Sequence, residues 1–406
     1  MTNSRQVIFI FSLISIFVAT YNLTLTSGLL HHFREVWHLE PATLSLINAA
    51  PLLGMAGGGL VLGLLSDRVG RVTILQWNWL IILLSSAAAL VLYSPSTIIG
   101  ARILLGIGLG SDFAIVFPYI VELGNTSRMV IAVLGLGDVG QWLAYAIDAL
   151  SRHLHWYRMP FALSLLWGIP LALWRHQLPE SRVWQQQRVT SYTQWARSLI
   201  TPSTRTHIIQ TGVPWALHQI SGQGLALFLP SILLKVMATT VHWGSSIIKL
   251  LVLPAFIVAL QIVPLIGPVK WQIIGFCLRA LSFVAAVVTL LVHGSPWLTI
   301  VMLTSALFWG SAGPDKTTVL IPALLFGPRI HTSGQGMAEL MGRLGSLVGV
   351  LIFGSLAITG HTVTALSGFA LTDFLGAVVS LSLLTTQFPT VFIRRQKLHT
   401  SSLSQD

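Results

Sequence analysis

Long apolar stretches alternate with short polar breaks along this chain, and the stretches set its fold class. Apolar runs recur at 7–30, 43–65, 73–93, 97–121, 129–150, 159–177, 208–236, 244–266, 271–292, 297–325, 334–358 and 366–390. A hydrocarbon layer of about 30 Å is crossed by roughly 20 helical residues, and within it only helices or closed barrels satisfy their own backbones. The runs are too long and continuous for barrel strands of about ten alternating residues. The pattern predicts an all-α integral membrane protein with twelve transmembrane helices, an even number that places both termini on one side.

One long polar interval interrupts the series. Residues 178–207, "LPESRVWQQQRVTSYTQWARSLITPSTRTH", are basic and carry Trp184 and Trp195 at amphipathic spacing, which predicts a helix lying on the inner leaflet. The chain then divides into an N-terminal six-helix half at 1–177, a linker at 178–207, a C-terminal six-helix half at 208–393 and a short tail at 394–406. The halves echo each other. "GSDFAIVFPYIVELGNTSR" in the fourth run and "GPDKTTVLIPALLFGPR" in the tenth each place Gly-x-Asp in mid-span, then a Pro, then an Arg past the inner end. Parallel repeats of this kind enclose a central site.

Composition agrees with the pattern and charge orients it. Hydrophobic residues make up 54% of the chain and charged residues 9%, against about a quarter charged in soluble domains. The net charge of +11 would suggest nucleic acid in a soluble protein; here it sorts by side. If the termini are cytoplasmic, the inner face receives Arg5, Arg68, Arg71, Arg128, Arg175, Arg182, Arg188, Arg197, Arg205, Lys270, Arg329, Arg394, Arg395 and Lys397. The outer loops receive Arg34, Arg152, Arg158 and Lys235. The positive-inside rule then predicts cytoplasmic termini, a multi-pass cell-membrane protein and no nucleic-acid partner. The apolar N-terminal segment lacks a small-residue cleavage site and reads as a retained first span. The lone Cys277 forms no intramolecular disulfide.

The turn "GLLSDRVGR" at 63–71 concentrates charge between the second and third runs. It is similar to the G-x-L-[SA]-D-R-x-G-R signature of the major facilitator superfamily, at that family's place in the chain. "RILLGIGLGSDFAIVFPYIVELGNTSR" resembles the fourth-helix region of its sugar porters and phosphate:proton symporters. "PESR" at 179–182 resembles the sugar-porter P-E-S-P-R element with its second Pro missing, and "GPDKTTVLIPALLFGPRIHTSGQGMAELMGRLGS" resembles helices ten and eleven of phosphate and organic-ion symporters. The resemblance implies that Asp67, Arg68, Arg71, Glu122, Arg128, Glu180 and Arg182 form an inner gate of charges between the halves. In the second half that network is depleted: "LIGPVKWQ" has no acid, and Leu324 stands where the family usually has Glu.

Ionisable groups within a span are costly and are read as functional. Asp112, Asp138, Asp315, Lys316, Glu339 and Arg343, with Gln141, fall in predicted spans. Asp112 lies about 15 Å along its helix from Glu122, and the resemblance gives an Asp there a part in proton coupling; the alternative is a structural pair with Arg102 or Arg343. Trp215, Gln219 and Gln223 share one helix face, which matches the pocket stripe of phosphate symporters, and Gln141 matches a pocket Gln. Departures point away from phosphate: Gln219 and Gln223 replace Asp and Tyr, Phe113 replaces Tyr, Asn22 replaces Asp, and Asp315 replaces Asn. Arg343 keeps a cation where the family has Lys, but Glu339 precedes it by four residues, so an intrahelical pair is equally open. The candidate substrate residues are thus Gln141, Trp215, Gln219, Gln223, Asp315 and Arg343.

These features predict a monomeric, proton-coupled secondary transporter that moves a sugar, organic acid or phosphate by alternating access and needs no cofactor. Proton-driven efflux and facilitated uniport by the same fold are the alternatives. An enzyme or a sensor fits less well: the spans hold no nucleophile elbow, metal-ligand cluster or phosphate loop. "GIGLG" at 106–110 lies inside a span, and the spacing of His31, His32 and His38 is not diagnostic of a metal site.

Overall fold

The computed structural model describes residues 2–123, 127–188, 191–237, 244–353, 356 and 360–386; the tail at 394–406 lies outside them. Among the described residues the secondary structure is entirely helical. The first six long helices are α1 (Thr2–Thr24), α3 (Pro41–Val69), α4 (Arg71–Val91), α5 (Pro95–Glu122), α6 (Ser127–His153) and α7 (Met159–Arg175), with a short α2 (Leu30–Trp37) between α1 and α3. The linker folds into α8 (Arg182–Gln187) and α9 (Tyr192–Leu199). Beyond it follow α10 (Pro202–Met237), α11 (Gly244–Val252), α12 (Ala255–Ile266), α13 (Pro268–Leu291), α14 (Pro296–Ala312), α15 (Pro314–Leu325), α16 (His331–Val348) and α17 (Thr362–Ser380). Eight helical segments are long and apolar enough to cross a membrane by length and composition.

Two predicted runs are broken where proline removes a backbone donor. The run at 244–266 is divided between α11 and α12 just before Pro254, and that at 297–325 between α14 and α15 at Gly313 and Pro314. The second break opens a fresh helix N-terminus at Asp315 and Lys316.

Packing follows the small residues. A side chain at Gly106 on α5 would overlap the Pro51 carbonyl of α3, so only glycine lets these helices touch backbone to backbone. Helices α1, α3, α4, α5, α6 and α7 pack with one another, and α10, α13, α14, α16 and α17 do likewise. The groups meet along α16, which lies against α3 and α5, and along α6, which lies against α11 and α12.

The linker departs from its prediction. Trp184 and Trp195 are buried rather than lying open on the surface, Trp184 through a hydrogen bond and Trp195 through an arginine over its ring. Trp184 Nε1 donates to the Asp67 carbonyl at 2.8 Å, and the Arg68 guanidinium lies 5.8 Å from the Trp195 ring.

Candidate functional site

Three polar levels cross the bundle. At one end, Gly70 with φ +121° turns the chain sharply from α3 into α4, and the first turn of α4 presents its backbone N–H groups to Glu180, at 3.1 Å from Arg71 N and 3.1 Å from Val72 N. A carboxylate there complements the helix dipole. Arg71, fully buried, pairs with Asp67 at 2.8 Å and Glu122 at 2.7 Å. The cluster then reaches the far group of helices. Asp67 accepts from Ser333 N at 2.8 Å, Ser333 Oγ at 2.5 Å and Thr332 N at 3.3 Å, all in the first turn of α16, and Arg71 Nη2 donates to the Pro328 carbonyl at 3.2 Å. His331 bridges Glu122 at 3.0 Å and the Ala323 carbonyl at 2.7 Å.

The structure therefore brings Asp67, Arg71, Glu122 and Glu180 together and leaves Arg68, Arg128 and Arg182 exposed, without an ion pair to any described residue. Arg68 stacks over Tyr192 at 5.0 Å instead. His331, Thr332 and Ser333 complete the cluster; their signal in the sequence is a polar N-terminus immediately before the eleventh run. At the depleted equivalent turn, Gly267 with φ +89° separates α12 from α13 and Lys270 is exposed.

Deeper on the α5 side, Asp112 pairs with Arg175 at 2.7 Å, neither with Arg102 nor with Arg343. Ser15 donates to it at 3.0 Å and Asn78 at 2.7 Å, so α1, α4, α5 and α7 converge on one carboxylate. Arg175 is fully buried and lies 4.5 Å from the Trp79 ring. It therefore leaves the count of inner-face cations. Arg102, also buried, caps the end of α1 by donating to the Asn22 and Leu23 carbonyls, each at 2.6 Å.

Midway along the bundle, α6 faces α10, α11, α13, α14 and α15 across a cavity of about 60 Å³ lined by Asp138, Gln141, His218, Gln219, Gln223, Lys249, Arg279, Ser311 and Asp315, room for a few waters. Lys316, on the first turn of α15, binds Asp315 at 2.6 Å and reaches across to Asp138 at 2.8 Å. Ser311 Oγ adds a bond to Asp138 at 2.9 Å. Lys249 Nζ donates to Gln141 Oε1 at 2.7 Å. Arg279 donates to His218 Nδ1 at 2.6 Å and lies 3.6 Å from Asp373. A guanidinium only donates, so Nδ1 accepts and the His218 ring is neutral with its proton on Nε2, which points at Asp315 from 3.6 Å.

Gln141, Gln219, Gln223 and Asp315 share this cavity, whereas Trp215 and Arg343 lie off it. Trp215 packs against Gly342 with its indole N–H unbonded. Arg343 pairs with Glu339 at 3.2 Å and stacks on Phe113 at 4.8 Å. A carrier's parts are now recognisable: a central polar cavity between two groups of helices and a charge cluster joining them at one end. A profile of the Major Facilitator Superfamily matches residues 12–350. The chain belongs to the major facilitator superfamily.

Among its relatives, a putative inorganic phosphate transporter 1-13 of Oryza sativa subsp. japonica is 23% identical over 82% of this chain and 79% of its own length. The inner membrane metabolite transport protein YgcS of Escherichia coli is 26% identical over 81% and 80%. The solved proton:xylose symporter XylE, bound to 6-bromo-6-deoxy-D-glucose, superposes with a TM-score of 0.82 at 15% identity, covering 94% of this chain and 96% of that one. This facilitator is thus a multi-pass membrane transporter of small molecules, not an enzyme.

Sequence reading missed Lys249, Arg279, His218 and Asp373 as site residues of this facilitator. The signal was present: Lys249 in "SSIIKLLVL" and Arg279 in "GFCLRALSF" are single cations inside apolar runs, the same warrant that singled out Asp138.

Proposed function

We propose that the protein is a proton-coupled secondary transporter of a small polar or anionic solute, built from two six-helix halves that cross the cell membrane twelve times with cytoplasmic termini, and working as a monomer. The observation that carries this reading is the mid-bundle cavity: its ionic contacts run between α6 and the helices beyond the linker, so separating the two groups exposes them. Rocking the halves about a fixed central site is how alternating access is achieved in such repeats. The relatives named for phosphate and for metabolites support a small polar or anionic solute. Asp138 is the coupling carboxyl best placed for the work, because it borders the cavity and bridges the halves through Lys316. Asp112 is the second candidate, and its protonation would release Arg175 and loosen four helices.

Facilitated uniport is a second reading, favoured by Asn22, an amide in the position where the resemblance expects an acid. Proton-driven efflux would require the solute and the proton to occupy the site in alternation, moving in opposite directions. The test is flux in proteoliposomes under an imposed pH gradient, with phosphate, mono- and dicarboxylates, sugar acids and sugars. Coupling predicts accumulation that collapses in Asp138→Asn while exchange persists. Equal flux with and without the gradient would establish uniport.

A further inference from the structure

The cavity's cations are unequally served. Lys316 has two carboxylates, Asp138 and Asp315, and Arg279 has Asp373. Lys249, buried and facing the same space, has only the amide oxygen of Gln141. An ammonium buried beside a cavity with room for only a few waters needs a counter-charge to offset its lost hydration, and no described carboxylate lies within ion-pair distance of this one. On the same cavity, Gln223 Oε1 has no hydrogen-bond partner. The site thus offers one open cation and one open acceptor.

From this arrangement we infer that Lys249 anchors a carboxylate of the transported solute, and that the substrate class is an organic monoanion carrying a hydroxyl or N–H group for Gln223. The inference deepens the transport reading and rests on it. Charge balance narrows it further. Lys249, Arg279 and Lys316 oppose Asp138, Asp315 and Asp373, with His218 neutral, so the empty site sums to zero. One monoanion leaves a single negative charge, and neutrality returns when one proton binds Asp138 or Asp315, which face Lys316, Lys249, Ser311 and His218. A dianion leaves two and meets three carboxylates. Monoanion and proton therefore travel one to one, and transport is electroneutral.

The test uses two matched acid and amide pairs, lactate with lactamide and 3-hydroxybenzoate with 3-hydroxybenzamide, plus D-xylose and inorganic phosphate. Purified full-length protein is followed by thermal shift, and proteoliposomes by uptake. The expected result is stabilisation and uptake by at least one acid and not by its amide. Lys249→Gln lowers both at least tenfold, Lys249→Arg retains them, and flux is insensitive to membrane potential. Lys249→Arg and the unliganded melting temperature guard against misfolding. If no acid stabilises the protein, or if Lys249→Gln binds acid as wild type does, the inference falls. Uptake of neutral solutes alone overturns it while leaving transport intact. Acid-specific stabilisation without flux of any solute keeps the anion site and overturns the transport reading.

Discussion

Arg175 and Asp112 show what a single buried pair commits the chain to. Both side chains are fully buried, and the carboxylate also holds Ser15 and Asn78. Removing one member leaves the other charged and unpaired, which costs about 3–5 kcal/mol, whereas replacing both with apolar residues is often neutral. Arg175→Met is therefore expected to lower the melting temperature in detergent sharply, and Arg175→Met with Asp112→Leu to recover most of the loss. Equal damage from the double variant would mean that the pair stabilises rather than merely satisfies. The partner was not legible in the sequence. Position along a run gives depth, which sets Asp112 far from Glu122, but depth does not give azimuth, and Arg175 at a span end has the position of an inner-face anchor. Motif residues were legible because the turn itself fixes them: Asp67 and Arg71 lie within a few residues of the Gly70 turn, and Glu180 answers the open N–H groups of α4.

At the scale of elements, helix ends do the joining. The N-terminus of α16 gives two backbone N–H groups and the Ser333 hydroxyl to Asp67 on α3, a charge placed where the helix dipole favours it. Asp67→Asn removes that charge and is expected to weaken the contact by about 1–2 kcal/mol, a five- to thirtyfold shift toward the form open at this end. The reporter is a cysteine at Ala114, buried on α5 beside Gly63, in a Cys277→Ser background; its labelling by an aqueous maleimide should accelerate accordingly, and an unchanged rate would show that the cluster does not hold this end closed. Element boundaries were largely legible from the apolar runs. The two breaks were not: Pro254 sits within a run whose hydropathy continues without interruption, and the polar Asp315, Lys316, Thr317 and Thr318 after Pro314 are too short a stretch to separate from the apolar residues on either side. The second break matters most, since it makes Asp315 and Lys316 helix-start residues rather than mid-helix side chains, with Lys316 reaching Asp138 on α6 and Asp315 facing His218 on α10.

For the whole molecule the cross-contacts lie at three heights. Asn48 lies 19 residues before Asp67 on α3, about 28 Å along a helix, and it donates to the Leu227 carbonyl on α10 at 3.3 Å. Beside it, Tyr145 on α6 donates to the Ala226 carbonyl. The central level of Asp138, Lys316, Gln141 and Lys249 lies between this end and the Asp67 cluster. Two rigid groups that rock about a middle contact cannot open both ends together, so bonds at opposite ends must bias the equilibrium with opposite sign. Tyr145→Phe with Asn48→Ala is accordingly expected to slow labelling at Ala114→Cys and to speed it at Ala49→Cys, which is buried beside Asn48. Asp67→Asn is expected to do the reverse at both reporters. Losing these two hydrogen bonds, each of ordinary strength at about 0.5–1.5 kcal/mol, suffices for a severalfold change in each rate. If both sets of variants accelerate labelling at both reporters, the contacts serve only global stability and the two groups do not move as bodies. Opposite signs at the two ends would instead tie the α3 to α16 cluster and the α6 to α10 contacts to one equilibrium, with the Lys249 cavity at its pivot.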